Sequence, residues 1–382
     1  LKPLSLGFPA GACAMPALGG QIEALPGTSL ELDEGRMRQE LAMLCVRGQT
    51  DRVLDVVAAC PGKVGEALCA PLDEDGNTAI HFAVLGGHLR LVQDLITRGC
   101  DVNAKDSKQR NPLQVACAEG HAELVLELLL ARADANAADE NRQTALHKAV
   151  MHGASTEVLQ VLMEQGGADP ALPDSTQTTP LLLAAARGRT DQLACLLEKD
   201  PNLAGASNES GWTALHLAAH GRESKRNSKN PAKFPAAVKL LLEAKAAPNA
   251  QDEDRKTPLH RAATSGNSEA AAALLESGAD IMAEDNCRWL PLHYACQDGH
   301  MDVTKLLLKA KAAVQRENPP CLTPLALATI ENQVPIAELL VSHGADPNLR
   351  GKGLASPIMI ARKDKEQFND LLALFELGFV KH

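Results

Sequence analysis

Thr257-Pro-Leu-His-Arg-Ala262 is one of several copies of a hexapeptide that decides the fold of this chain. Four close copies begin at Thr78, Thr144, Thr213 and Leu290, and read Thr-Ala-Ile-His-Phe-Ala, Thr-Ala-Leu-His-Lys-Ala, Thr-Ala-Leu-His-Leu-Ala and Leu-Pro-Leu-His-Tyr-Ala. Weaker copies begin at Asn111, Thr179, Thr323 and Ser356. From start to start, the copies are spaced by 33, 33, 35, 34, 44, 33, 33 and 33 residues. A period of this length indicates a stack of similar supersecondary units.

Each copy carries the signals that begin a short helix. The leading Thr is a preferred N-cap residue, and its hydroxyl can accept a backbone N–H that has no partner inside the helix. Pro at the next position has no N–H to leave unpaired. Pairs of small residues such as Ala262-Ala263 allow neighbouring helices to approach closely, and a Gly then ends the helix. A second apolar helix follows in each unit.

The period near 33 residues, the hexapeptide and endings such as Gly-Cys-Asp-Val-Asn at Gly99–Asn103 resemble the ankyrin repeat. The resemblance covers about 340 of the 382 residues. It implies an all-α solenoid of about ten helix-pair units with short finger hairpins between them. It also implies a recognition scaffold, although this architecture is shared by unrelated functions and does not name a partner.

The repeats divide the chain into four predicted parts. Residues 1–33 contain no repeat and form a Pro- and Gly-rich tail, which is either a flexible leader or a segment ordered against the solenoid or a partner. Residues 34–71 form a degenerate N-terminal cap repeat. Residues 72–355 contain eight repeats, with an insert at 222–234 whose segment Arg222–Lys233 has five positive charges against one negative. Residues 356–382 form a C-terminal capping repeat.

Composition limits the classes of partner and compartment. The formal net charge of −10 argues against a general nucleic-acid binder, which needs a basic surface. No run of 18 apolar residues is present, so we expect no membrane insertion. The ten cysteines are scattered without a Cys-x-x-Cys pair, and Cys117 and Cys296 occupy core positions of their repeats. We therefore expect reduced thiols and an intracellular, most simply cytoplasmic, protein. An organellar location after cleavage of a targeting segment is the alternative.

Residue types that suggest catalysis or metal binding are explained by the repeat. Five histidines share the fourth place of the hexapeptide, and ankyrin repeats use this residue to brace the turn and the adjacent loop. The spacing of Cys287, His293 and Cys296 resembles a zinc site, but no second cysteine pair completes a tetrahedral set. The sequence has no Gly-rich phosphate loop or nucleophile elbow. We therefore expect no catalytic residue, no metal and no cofactor. Six aspartates recur once per finger, where Asp forms turns: Asp73, Asp106, Asp139, Asp174, Asp252 and Asp285.

Candidate partner-binding residues are those that the repeat does not dictate. Both tryptophans of the chain, Trp212 and Trp289, stand immediately before a hexapeptide, and tryptophan is enriched at interface hot spots. The alternative is that each tryptophan packs over its neighbour's finger. Further candidates on the same edge are Lys256, Arg288, Arg110 and Asp254. Leu85, Met151 and Ile330 are apolar at places before the helix-ending Gly that the fold leaves exposed on the concave side.

Three functions remain open at this point. The first is a non-catalytic scaffold that binds a partner protein through the concave face and the finger tips. The second is a permanent structural subunit of a larger, possibly organellar, multiprotein complex. The third is the ankyrin region of an enzyme whose catalytic part is missing.

Overall fold

The structure, a computed structural model, describes residues 34–58, 68–221, 233–315, 322–350 and 355–377. These ranges contain twenty α-helices, which we number in chain order. They are α1 (Glu34–Val46), α2 (Thr50–Ala58), α3 (Ala79–Leu85), α4 (Leu89–Thr97), α5 (Pro112–Glu119), α6 (Ala122–Leu130), α7 (Ala145–His152), α8 (Thr156–Glu164), α9 (Pro180–Ala186), α10 (Thr190–Lys199), α11 (Ala214–His220), α12 (Lys233–Glu243), α13 (Pro258–Ser265), α14 (Ser268–Glu276), α15 (Pro291–Gln297), α16 (Met301–Lys309), α17 (Pro324–Ile330), α18 (Val334–Ser342), α19 (Pro357–Lys363) and α20 (Asn369–Leu377). A single 3-10 turn, Pro201–Gly205, follows α10.

The helices pair into ten successive units, of which unit 1 is α1 and α2 and unit 10 is α19 and α20. In every unit the first helix contacts the second, and each first helix also packs on the first helix of the next unit. From unit 2 onward the second helices pack on one another in the same way. The result is two parallel layers of helices, as expected for a solenoid in which each unit contacts only its neighbours.

The interior between the two layers is aliphatic. Leu, Ile, Val and Ala supply nearly all of its buried side chains. Cys117 and Cys296 are fully buried at the positions predicted for a small apolar residue. In the last unit, the aromatic ring of Phe375 is 1% exposed and closes the end of this core together with Leu371.

The start of some first helices differs slightly from the sequence-based expectation. In α9 and α17 the hydroxyls of Thr179 and Thr323 accept a backbone N–H, at 3.4 and 3.1 Å, as predicted. In α13 the Thr257 hydroxyl instead lies 2.9 Å from Nδ1 of His260, and that nitrogen also accepts the backbone N–H of Thr257. The histidine is thus part of the cap, because its ring pairs with both the hydroxyl and the backbone N–H of the N-cap residue.

Two further details concern the fingers and the insert. The fingers are tight turns, and the only β-type pairing among the described residues is an isolated bridge between Ser207 and Thr213. The helix α12 begins at Lys233, so the last two residues of the predicted insert, Lys233 and Phe234, belong to that helix. Phe234 is 6% exposed. The remainder of the insert and the tail of residues 1–33 lie outside the described residues.

Candidate functional site

The fingers are built around buried carboxylates. In the finger before α15, one oxygen of Asp285 accepts the backbone N–H groups of Cys287 and Trp289, both at 2.8 Å. The other oxygen accepts the phenol of Tyr294 at 2.6 Å. Burial and this hydrogen bond raise the pKa of the Tyr294 phenol, which therefore stays protonated and donates. The recurring aspartates form turns, as the sequence indicated.

A basic side chain pairs with the second oxygen in three other fingers. Lys148 lies 2.6 Å from Asp139, and Arg110 lies 2.7 Å from Asp106. Arg261 forms an ion pair with Asp252. Arg110 is half-buried in this arrangement, so the residue predicted to bind a partner also supports its own finger.

Successive finger tips are joined by backbone hydrogen bonds. The N–H of Ser107 donates to the carbonyl of Asp75 at 2.8 Å, and the N–H of Asn286 donates to the carbonyl of Asp254 at 2.9 Å. Four equivalent bonds join the fingers between these two pairs. The backbone of the tips is thereby fixed, while the side chains of Asp254 and Arg288 are exposed.

Trp212 packs against the next unit rather than standing clear of the surface. The guanidinium carbon of Arg261 lies 3.9 Å from the centroid of the Trp212 ring, and the His220 ring meets its edge at 5.5 Å. Trp212 is half-buried as a result. One side of the Trp212 ring therefore packs against protein, as in the alternative in which the tryptophan is a packing residue. The remainder of the side chain is accessible.

Trp289 belongs to a second group of contacts, which lies at the fingers before units 7 and 8. Its ring stacks on His293 at 5.8 Å and lies 5.1 Å from Tyr294. Lys256 places its ammonium 5.1 Å from the centroid of Tyr294, while remaining 3.6 Å from Asp254. Trp289 and Lys256 are both half-buried. The structure therefore brings Lys256, Asp254 and Trp289 together through Tyr294.

The three apolar candidates lie at equivalent ends of first helices. Leu85 and Ile330 are 39% and 40% exposed, and Met151 is half-buried. In most of the nine first helices that begin within a hexapeptide, the fourth and seventh residues after the N-cap are also accessible. We call the surface formed by these positions the open face, because the other sides of these helices are packed against neighbouring helices.

The histidines have structural partners. Nε2 of His81, His147, His216 and His260 lies 2.9 to 3.2 Å from a carbonyl of the following finger. Burial lowers the pKa of these rings, to about 4 for His260, so they are neutral at pH 7. In unit 3, Gln114 replaces the histidine and donates to the carbonyl of Gln143 at 2.6 Å.

The three residues of the zinc-like spacing, Cys287, His293 and Cys296, have different surroundings in the structure. Nδ1 of His293 accepts the backbone N–H of Leu290 at 3.0 Å, Cys296 is fully buried and Cys287 is exposed. Across the described ranges, no three His, Cys, Asp or Glu side chains are grouped as metal ligands. None of the helices in those ranges is both long and apolar enough to cross a bilayer.

Sequence reasoning missed Arg261 and Tyr294 as parts of the site. Both residues stand four places after the N-cap of a first helix, within the hexapeptide itself. That place holds Phe82, Lys148 and Leu217 in other units, and this variability was the available signal.

Comparison with known families agrees with the observed architecture. A family model described as "Ankyrin repeats (3 copies)" matches residues 80–174, 155–226 and 278–351, which together exceed half of the chain. Two models described as "Ankyrin repeats (many copies)" match residues 241–295 and 52–96, and one described as "Ankyrin repeat" matches residues 210–253.

One similar curated protein is ankyrin repeat and SOCS box protein 16 of Mus musculus. It is 38% identical to this chain over 91 residues, which cover 24% of this chain and 19% of the mouse protein. The chain thus matches about a fifth of the length of that relative. The family matches, unlike this short similarity, together span residues 52–351, which contain the helix pairs of units 2 to 9. The chain belongs to the ankyrin-repeat family.

Proposed function

We propose that this chain is a non-catalytic scaffold that binds a partner protein through the open face and the finger tips. The observation that carries the proposal is the exposure of large apolar side chains at equivalent places of the open face, namely Leu85 and Ile330. The fold does not require apolar groups there, since the equivalent places of units 6, 7 and 8 hold the polar residues His220, Thr264 and Gln297. On this proposal Trp212, Lys256, Trp289, Arg288, Arg110, Asp254 and Met151 contribute further contacts.

Buried thiols support action in a reducing compartment, with the cytoplasm as the simplest choice. Burial raises the pKa of Cys296 to about 12, and an unreactive thiol of this kind serves packing. The seven cysteines in the described part of the chain are free thiols.

The test is site-specific photo-crosslinking followed by reconstitution. A photoreactive amino acid is placed at Leu85 or Ile330 on the open face, and at Leu130 on a second helix as a matched apolar control. Leu130 is 68% exposed, which makes it the more accessible position of the three. We expect a partner to be captured at Leu85 or Ile330 and not at Leu130.

The captured partner is then purified, and its affinity is measured by calorimetry. Leu85→Ser should weaken binding on the order of tenfold if Leu85 is a contact residue, and Leu130→Ser should leave it unchanged. Equal capture at all three positions, or equal affinity of both variants, would show that the open face is not the binding surface.

A further inference from the structure

The charge of the open face changes sign along the solenoid. The relevant place is the eighth residue after the N-cap of each first helix, which we call the rim position. It is Gly or Ser in units 2, 6 and 7, and charged or histidine in six others. These six residues are Glu119, His152, Arg187, Asp298, Glu331 and Asp364, and all of them are exposed.

The middle of the rim is cationic. Arg187 is exposed in unit 5, and Arg189 follows two residues later, where it donates to the carbonyl of Met151 at 3.4 Å. Partial burial of the His152 ring and the charge of Lys148 lower its pKa, Glu119 raises it, and Arg187 and Arg189 lower it further. These effects favour the neutral imidazole of His152 at pH 7, so the positive charge in this part of the rim comes from Arg187 and Arg189.

Some cationic side chains near the rim are neutralised by an ion pair and add little to its net charge. Lys148 lies 2.6 Å from the buried Asp139, so its charge is largely compensated inside the finger. The same holds for Arg261, which is paired with Asp252 in unit 7. Arg187 stands at a different place, because it is the C-cap of α9 and is exposed at the rim.

The far part of the rim is anionic. Asp298 in unit 8 and Glu331 in unit 9 are both exposed. In unit 10 the rim residue Asp364 lies between the exposed Lys363 and Lys365, so the acidic character ends there. We call Arg187 and Arg189 the cationic pole, and Asp298 and Glu331 the anionic pole.

Each pole has an apolar side chain beside it. Arg189 donates to the carbonyl of Met151, and Ile330 precedes Glu331. The corresponding places are polar in units 6, 7 and 8, where they hold His220, Thr264 and Gln297. A bound segment would therefore find an apolar contact and a charge at each end of the same surface.

We propose that the open face selects a protein segment with acidic residues toward one end and basic residues toward the other. The acidic part lies over units 4 and 5, and the basic part lies over units 8 and 9. Complementary charges of this kind fix the orientation of a partner and exclude the reversed one. This inference rests on the proposed function and adds the chemistry and direction of the partner.

The spacing of the poles sets the length of the segment. Arg187 and Asp298 are three units apart, which is roughly 30 Å at about 10 Å between packed helices. An extended segment covers this span with about 9 residues, and a helical one with about 20.

The experiment is a selection of random peptides, about 20 residues long so that both conformations reach across, against the full chain. Enriched peptides should carry Asp or Glu in one half and Lys or Arg in the other. The same selection against Arg187→Glu should lose the Asp and Glu enrichment, while Glu331→Lys should lose the Lys and Arg enrichment.

Matched controls reverse charges of the same sign in the same units but on second helices. Lys199→Glu is paired with Arg187→Glu, and Glu338→Lys is paired with Glu331→Lys; Lys199 and Glu338 are exposed. For a selected peptide, Arg187→Glu should raise Kd on the order of tenfold, a typical effect of a like-charge contact, and Lys199→Glu should change it less than about twofold.

A photo-crosslinker on the acidic end of the selected peptide tests the direction. It should label α9, and a crosslinker on the basic end should label α17. Enriched peptides without a charge order, or equal Kd values for Arg187→Glu and Lys199→Glu, would overturn the inference. Hydrogen-exchange protection of the first helices by such peptides would then still support the proposed function, whereas protection confined to second helices would contradict both.

Discussion

The histidine that caps the first helix of unit 7 links stability to pH. The pKa of His260 is lowered by burial from 6.5 to about 4. Between these values the unfolded chain binds a proton that the native chain does not, so stability falls as pH drops through this window and levels off below about 4. The difference corresponds to about 3 kcal/mol over the whole window.

Unit 3 of the same chain contains a replacement for the Thr257–His260 pair. In unit 3, Asn111 and Gln114 hydrogen bond to each other in both directions at 2.9 Å, and Gln114 also reaches the next finger. We expect the double variant Thr257→Asn with His260→Gln to fold at pH 7 and to lose less stability at pH 5. The gain at pH 5 relative to the parent should be roughly 2 kcal/mol. Urea unfolding of both proteins at the two pH values measures this, and parallel pH slopes would contradict it.

Trp212 should contribute to stability as well as to binding. Its ring is covered on one side by the guanidinium of Arg261 at 3.9 Å. Trp212→Ala is therefore expected to lower the free energy of unfolding by about 1–2 kcal/mol, through the lost cation–π contact and the lost apolar burial. Chemical denaturation measures the change, with the exposed Arg288→Ala as a control expected to stay within about 0.5 kcal/mol. An unchanged midpoint for Trp212→Ala would show that the ring contributes recognition alone.

Residue positions could be predicted from the sequence more fully than residue contacts. The repeat register placed Trp212 and Trp289 at equivalent sites before a helix. It did not reveal that Arg261, which is 49 positions after Trp212, covers that ring. This contact depends on the relative position of two adjacent units, which is set by the packing between them.

At the scale of elements, the insertion in unit 6 is expected to have little effect on the stack. Residues 222–232 lie outside the described part of the chain, but the helices on either side of them, α11 and α12, pack together, and α11 packs on α13. Deleting Ser224–Asn230 should keep the melting temperature within a few degrees, since the entropy of a surface loop changes by only about 0.6 kcal/mol per doubling of its length. Phe234→Ala in α12 is the control that should melt clearly lower, because it removes a side chain that is 6% exposed. A large drop on deletion would show that the segment packs structurally.

The elements themselves were predictable because each carries its own start and stop signals. All nine N-cap positions expected from the hexapeptide, from Thr78 to Ser356, precede a helix in the structure. The fingers were less predictable. Their turns are closed by buried carboxylates and by bonds to neighbouring fingers, and the bonds between fingers cannot be read from local sequence.

For the whole molecule, the two-layer stack predicts an elongated particle. Ten units at about 10 Å each give a body on the order of 90–100 Å long. Its radius of gyration should be about 30 Å, compared with about 21 Å for a compact domain of this length. Small-angle X-ray scattering measures this radius, and a value near the compact one would contradict the arrangement of the units.

The hydrogen bonds between adjacent units also determine how the molecule should respond to mechanical force. Asn103, Asn136 and Asn249 each donate to a carbonyl of the next unit and accept an N–H from it, so the same pair of bonds recurs along the stack. Pulled from its two ends, the chain should yield in a ladder of similar steps, each adding about 100 Å of contour length for a 33-residue unit. The step of unit 6 should be longer, about 140 Å, because 44 residues separate Thr213 from Thr257. Under force the molecule would then unfold one unit at a time, and the longer step would identify unit 6.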